Sequence, residues 1–323
     1  MLKMNIKDRL DLFNILDQQE KNSLFLIFFL MIIASVLEVL SIGAIIPLIQ
    51  YLVNFNEADL VNNKILIQLS KFMLDNSLLN ISIFVLLVFV FRNFFLLFLV
   101  WYKSRFALFL NAKWKDKLFN LYLSQNYTFH LSNNSAVLIR NIQQEVSQCI
   151  NSYITPLLDF WLNFIILTLI IFFLIYYDPI NTLIIIILFG SFSIIINLFL
   201  KKILFQIGEI RQSTSLKMLQ YMQEGLANIV NIKMLNVEKF FLHLFKPHNI
   251  KMARYGVKRS VYGALPKFFF EILFIFLIIV SIIYVALDQG SLQNLFSKLI
   301  IFSIAALRII PALNSLSISY QKI

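Results

Sequence analysis

The chain has 323 residues, 59% of them hydrophobic and only 14% charged, with a mean hydropathy of +0.80; soluble globular domains carry about 25% charged residues, so a soluble fold is excluded and an integral membrane protein is indicated. Lys and Arg number 28 against 17 Asp and Glu, a net charge of +11. The single cysteine, Cys149, excludes an intrachain disulfide and a cysteine-built metal cluster, and only 7 glycines are available for nucleotide-binding loops.

A helix crosses the roughly 30 Å hydrocarbon layer with about 20 mostly apolar residues. Residues 1–23 hold four basic and four acidic groups and no apolar stretch followed by a cleavage pattern. They predict a cytoplasmic lead-in, with the first span as an uncleaved anchor. Spans are expected at about 24–53, interrupted by Glu38, and at 81–102, interrupted by Arg92. Two more follow at 157–177, with Asp159 near its start, and at 180–200, which has no charge. The fifth, 268–287, carries Glu271 one turn inside; a weaker sixth, 292–313, has Lys298 and Arg308 bracketing a short apolar core. The fold class is therefore all-α and polytopic, with residues 24–323 forming one transmembrane domain.

Charge placement orients the spans. Lys103–Tyr153 has six basic and two acidic residues, and Lys201–Phe270 twelve and three, so these two segments together carry +13. Asn54–Asn80 is −1, and the turn before Ile180 contains only Asp178. The positive-inside tendency then makes both basic segments and the N-terminus cytoplasmic in a multi-pass protein of the inner (plasma) membrane.

Both basic segments have a helical rhythm. Phe106, Phe109, Leu110, Trp114, Leu118, Leu121 and Tyr122 recur at steps of three and four, and so do Val137, Leu138, Ile142, Val146, Cys149, Ile150 and Tyr153. The intervening Ser124–Ser135 is rich in cap and turn residues. Ile203, Ile207, Ile210, Leu216, Leu219, Met222 and Leu226 repeat the plan, loosened at Gln223–Asn231, before a helix returns from about Lys233. A helix of some 40 residues is about 60 Å long, so roughly half of each projects beyond the bilayer. Two such hairpins suit either the transmission of movement to something docked below the membrane or plain solvated stalks. Pro247, within the second returning helix, is expected to kink or break it.

Five sets of blocks stand out against this layout: Glu38–Pro47; Tyr127–His130 with Asn134–Asn141 and Glu145–Val146; Gln223–Leu226 with Ile232–Leu235 and Glu238–Phe241; Leu265–Lys267 with Glu271; and Arg308–Leu313. In their order and spacing they resemble the transmembrane domain of ABC exporters, nearest the bacterial lipid-linked-oligosaccharide flippase subgroup. The likeness covers about Leu24 to Lys322. It implies six spans, a homodimer or heterodimer of intertwined halves, and two coupling helices that fit grooves in nucleotide-binding ATPase domains. Tyr127, Thr128, Phe129, His130 and Leu131, and then Gln223, Glu224, Gly225, Leu226 and Ala227, are the expected coupling contacts. ATP and Mg are implied only for that partner domain; no cofactor is expected in this chain.

No phosphate-cradling loop can be built here. The glycines at 43, 190, 208, 225, 256, 263 and 290 include no pair at the required spacing, and none precedes a lysine. By itself the chain is not expected to be an ATPase. Either the motor is a separate polypeptide or this is a truncated product, and the bare end at Ile323 favours truncation. The readings that follow are an exporter or flippase subunit for a lipid-linked or other amphipathic substrate, a non-transporting remnant, or an ATP-independent scaffold or receptor.

Intramembrane charges are functional candidates because they are costly to bury. Glu38, Arg92 and Arg308 are the substrate-cavity candidates. Arginine keeps its charge and offers a planar fork of donors to a phosphate or pyrophosphate headgroup. The structural alternative is that Glu38 pairs with one of the arginines and locks helices together. Asp159 and Glu271 are expected at a membrane face or as helix caps. His130, His243 and His248 are scattered, so no metal site is expected, and Cys149 reads as a packing residue. The basic residues spread along helices near anionic membrane lipid, without a nucleic-acid-reading module.

Overall fold

A computed structural model describes residues 16–48, 78–133, 135–288 and 292–322. Most of the lead-in, the end of the expected first span (49–53), most of the acidic segment that follows it and residues 289–291 lie outside the described residues.

Every regular element among the described residues is helical. Helix α1 spans Gln18–Gly43 and α2 Leu78–Leu123. A short α3, Tyr127–Ser132, leads into α4, in which the α-helical stretches Ser135–Arg140, Val146–Cys149 and Thr155–Tyr177 are joined by the π turns Asn141–Glu145 and Ile150–Ile154. Helix α5 spans Pro179–Ala227, α6 Ile229–Leu235, α7 Glu238–Asp288 and α8 Leu292–Lys322. Among the described residues six helices are long and apolar enough to cross a membrane. At 1.5 Å per residue, α2, α5 and α7, with 46, 49 and 51 residues, are about 69–76 Å long, more than twice the hydrocarbon thickness.

Four boundaries differ from the sequence reading. The first helix begins at Gln18, inside the expected lead-in, because the backbone N–H of Asp17 donates to the Glu20 carboxylate at 2.7 Å and starts the helix there. It is interrupted at Ala44. Pro47, three residues on, has no N–H for the Gly43 carbonyl, and its ring crowds that carbonyl. The last helix, α8, starts at Leu292 as expected and continues past residue 313 to Lys322. Pro247 does not break the returning helix, since α7 is helical through both Pro247 and Pro266. Pro247 is exposed, so the one carbonyl it orphans, that of His243, can be hydrated while the long helix propagates on either side.

The chain divides into two units, Met1–Thr182 with Ile278–Ile323, and Leu183–Leu277. In the first, α1 packs on α2 and α4, and α4 packs on α8. Its interior consists of two apolar clusters. Ile27, Met31, Ala34, Leu99, Phe106, Ala107, Leu110, Ile150 and Leu158 form one. Ile42, Ile46, Ile166, Leu167, Ile170, Leu174, Ala305, Ile309 and Ala312 form the other. In the second unit, the antiparallel α5 and α7 meet through rings: Phe189 stacks on Phe270 with centroids 6.0 Å apart, and Tyr221 lies 5.6 Å from His248.

Candidate functional site: a buried carboxylate holding two arginines

Along α1 the buried positions Ile27, Met31, Ala34, Ser35, Glu38, Ser41 and Ile42 fall at helical spacing and make one stripe. The two serines satisfy themselves within the helix, Ser35 Oγ donating to the Ile32 carbonyl and Ser41 Oγ to that of Glu38, each at 2.7 Å. Small hydroxyl residues flank Glu38 and leave its carboxylate room to reach neighbouring helices. In sequence Glu38 lies between Ala34 of one apolar cluster and Ile42 of the other, so its charge is enclosed by hydrocarbon above and below.

Both sequence-predicted arginines converge on that carboxylate. Arg92 of α2 donates through Nε to Glu38 Oε2 at 2.5 Å, and its Nη2 forms an ion pair with the same oxygen. Arg308 of α8 places Nε 3.1 Å from Glu38 Oε1. Glu38 therefore pairs with both arginines, one on each oxygen. Arg92 also donates through Nη1 to Asn93 Oδ1 at 3.1 Å.

Burial separates the two cations. Glu38 and Arg92 are each 4% exposed, whereas the Arg308 side chain is 30% exposed. The triad carries a net +1. Its neutral half, Glu38 with Arg92, is sealed, and the surplus charge sits on the accessible arginine. Glu38 is the only ion-pair or hydrogen-bond partner of the Arg308 guanidinium among the described residues, so its remaining donors are free to receive an anion. Two turns further along α8, Ser315 Oγ accepts from Asn163 Nδ2 of α4 at 2.9 Å, which ties α8 to the bundle.

Asp159, expected as a cap or at a membrane face, pairs with Lys103 of α2. This was missed in the sequence, although the signal was present: opposite charges stand at the end of one span and the start of its antiparallel neighbour. Glu271 lies 3.9 Å from Lys267 on an exposed α7 face. Among the described residues no group of three His, Cys, Asp or Glu is placed to hold a metal ion.

The turn elements have two sides. In α3, the Phe129 ring stacks on Tyr122 at 6.1 Å and His130 Nε2 lies 3.1 Å from the Tyr122 carbonyl, fixing the helix to the end of α2. Tyr127, 75% exposed, Thr128 and Leu131 face outward. The expected second set is placed differently. Gln223, Glu224, Gly225, Leu226 and Ala227 form the last turn of α5, and the short helix of this turn is α6, two residues further on. Nothing in Gln223–Ala227 stops a helix except Gly225, which alone costs only about 1 kcal/mol. The stop comes at Asn228, whose Nδ2 caps the Glu224 carbonyl at 3.0 Å. Helix α6 then ends at Asn236 in a left-handed conformation, φ 54°, which asparagine tolerates. Ile232 is its buried anchor, while Val230, Met234 (77% exposed) and Leu235 project.

These features define the class: a polytopic helical membrane protein whose spans continue as long paired helices closed by short helical turns. Within that class, a family model for the ABC transporter transmembrane region matches residues 24–308, most of the chain, and the protein belongs to that family.

Proposed function

We propose that this chain is the membrane half of an exporter or flippase, with Arg308 as the docking point for the anionic headgroup of a lipid-linked or other amphipathic substrate. The observation that carries this reading is the lopsided triad. A sealed Glu38–Arg92 pair holds a third, accessible guanidinium with open donors on a helix of the transmembrane bundle. A purely structural lock needs only one arginine per carboxylate; the second leaves a surplus positive charge in an apolar setting, where an anion is attracted strongly.

The driving force is assigned to ATP hydrolysis by nucleotide-binding domains outside residues 1–323, bound by two exporter halves arranged as a dimer. The outward residues Tyr127, Thr128 and Leu131 of α3, and Val230, Met234 and Leu235 of α6, are assigned to those domains as coupling contacts. Leu226, Ile229 and the last turn Gln223–Ala227 flank the second contact. This places the N-terminus and both basic hairpins on the cytoplasmic side of the plasma membrane, where the +13 of the hairpins faces anionic lipid. Closure of the ATPase domains would move α3 and α6, and the long helices would carry that motion to the bundle.

The test is translocation in liposomes by the chain co-purified with its ATPase partner, using a fluorescent anionic lipid and its zwitterionic analogue. R308Q is expected to abolish transport of the anionic lipid while ATP hydrolysis and assembly persist. Undiminished anionic transport by R308Q overturns the docking role. Failure to recover any ATPase with the chain overturns the exporter reading and favours a scaffold or remnant.

A further inference from the structure

The unit Leu183–Leu277 has 12 basic residues and four acidic ones, Glu209, Glu224, Glu238 and Glu271. Three of the four are already engaged: Glu224 accepts from Gln220, Glu238 pairs with Lys233, and Glu271 lies near Lys267. The fourth, Glu209, is exposed; two residues from Arg211 on a helix, it points roughly the opposite way. No carboxylate of the unit is left to neutralise a cation on the seam of α5 and α7.

Two arginines occupy that seam. On α5, Arg211 lies between the buried Ile207 and Thr214, one turn away on either side of it, and it shares their face. On α7, the half-buried Tyr255, Gly256, Tyr262 and Gly263 and the buried Pro266 and Phe270 set a stripe at steps of three and four, and Arg259 falls on it. The ring contacts Phe192–Phe269 and Tyr221–His248 bracket both arginines and fix the antiparallel register that sets them opposite one another. Arg211 Nε is occluded from solvent and has no hydrogen-bond partner, while Arg259 is exposed, so the pair has an inner and an outer member.

The seam also has room. One turn from Arg211 is Gly208, and one turn from Arg259 on either side are Gly256 and Gly263. A methyl group added at any of the three would meet nothing within 4 Å. Two arginines set opposite one another by the helix register, with Arg211 Nε unpartnered, no carboxylate of the unit left for them and open space at the neighbouring glycines, make a fork for a tetrahedral oxyanion.

We propose that Arg211 and Arg259 form a phosphoryl-anion binding site on the α5–α7 seam, separate from the Glu38 triad and independent of the transport reading. Its height points to a water-soluble ligand. Lys201 and Lys267 flank the apolar stretches of the two helices; Arg211 lies ten residues past the first and Arg259 eight residues before the second, about 15 and 12 Å along the axes. A headgroup layer adds only about 5–7 Å to each side of the hydrocarbon, so the fork opens beyond ordinary phospholipid phosphates.

The test is calorimetric titration of the full-length protein, in nanodiscs of phosphatidylcholine, with inorganic pyrophosphate and with inorganic phosphate. Wild type is expected to bind, and R211Q/R259Q to lose at least about tenfold in affinity, the scale of one charge-assisted hydrogen bond. Because the double variant could misfold, G256L provides a second probe. It fills the vacant space without touching a charge, improves helix propensity, and is expected to weaken binding as well. Nanodiscs doped with phosphatidic acid separate the sources: competition there assigns the same fork to a lipid phosphate, and its absence to a soluble anion. Unchanged affinity in both R211Q/R259Q and G256L overturns the site. So does loss in R308Q alone, which assigns the anion to the other unit. If wild type binds no anion and R211E weakens self-association, the fork is neutralised by a second copy of the chain, and the proposal fails.

Discussion

Glu38 Oε1 lies 3.1 Å from Arg308 Nε, although 270 residues separate the two in sequence and the other oxygen of the same carboxylate already serves Arg92. One buried anion thus fastens three helices, α1, α2 and α8. Neutralising it leaves two arginines with no carboxylate partner, one of them buried. Removing one member of a buried ion pair destabilises by about 3–5 kcal/mol. E38Q is therefore expected to lower the thermal unfolding midpoint of the detergent-solubilised protein more than any other single substitution in the triad. An unchanged midpoint contradicts the central role of Glu38.

The two arginines should part ways. R92Q removes the sealed partner and leaves Glu38 with only the more accessible Arg308, so the main loss is expected in stability. R308Q leaves the Glu38–Arg92 pair intact and should unfold close to wild type, with its loss confined to binding of an anionic amphiphile. Parallel measurement of unfolding and of equilibrium lipid binding in both variants checks this. Equal stability losses would show that exposure does not divide the roles.

Which parts of this were legible in the sequence follows from what each depended on. Glu38, Arg92 and Arg308 stood out because a charge in a twenty-residue apolar run is conspicuous whatever it contacts. That one carboxylate serves both arginines was not legible, since it depends on the rotational setting of α1 against α2 and α8. Membrane helices are apolar nearly all round, so hydropathy supplies length without phase. The π turns at Asn141–Glu145 and Ile150–Ile154 were hidden for a related reason: the apolar positions from Val137 to Tyr153 keep steps of three and four whether a turn closes at four or five residues. Pro247 does not break α7, because one lost hydrogen bond is outweighed by the length of helix propagating on both sides. In the second hairpin, polarity at Gln223–Ala227 suggested a turn that Asn228 in fact initiates.

Lys103 and Asp159 give a prediction separable from substrate binding. They join α2 to α4 at the edge of the apolar region, with Lys103 mostly enclosed and Asp159 about one-third exposed. K103D or D159K alone sets like charges against each other; the double swap restores the pair with reversed polarity. Each single variant is expected to unfold at a lower temperature than wild type and the double variant to recover most of the difference. A double-mutant cycle with no coupling between the two sites would mean that the pair contributes nothing measurable.

Helix α3 divides its residues by the side they face. Phe129 and His130 hold it to Tyr122, so F129A is expected to loosen the turn and speed amide exchange over residues 127–132. Tyr127 and Leu131 are 75% and 69% exposed, so Y127A/L131A should leave exchange unchanged while weakening co-purification with an ATPase partner. Loss of partner binding in F129A without faster exchange would place the contact on the wrong face.

The start of α1 carries a pH-dependent clasp. Lys113 of α2 lies 2.7 Å from Asp17 and 3.1 Å from Glu20, and Lys117 lies 3.8 Å from Asp17. The hydrogen bond and charge of Lys113, with the charge of Lys117, hold the Asp17 carboxyl below its ordinary value. A carboxyl depressed in the folded state stabilises that state fully above its unfolded value, near 3.9, and the contribution disappears as pH falls through the lower folded value. The first turn of α1 should therefore stay docked on α2 through the neutral and mildly acidic range and release only below about pH 4. D17N should release it at every pH, and high salt should mimic D17N because the groups are exposed. Amide exchange over residues 18–23, followed against pH and salt, reads this directly; exchange in D17N that matches wild type at neutral pH and low salt would assign the docking to Leu16 and Glu20 instead.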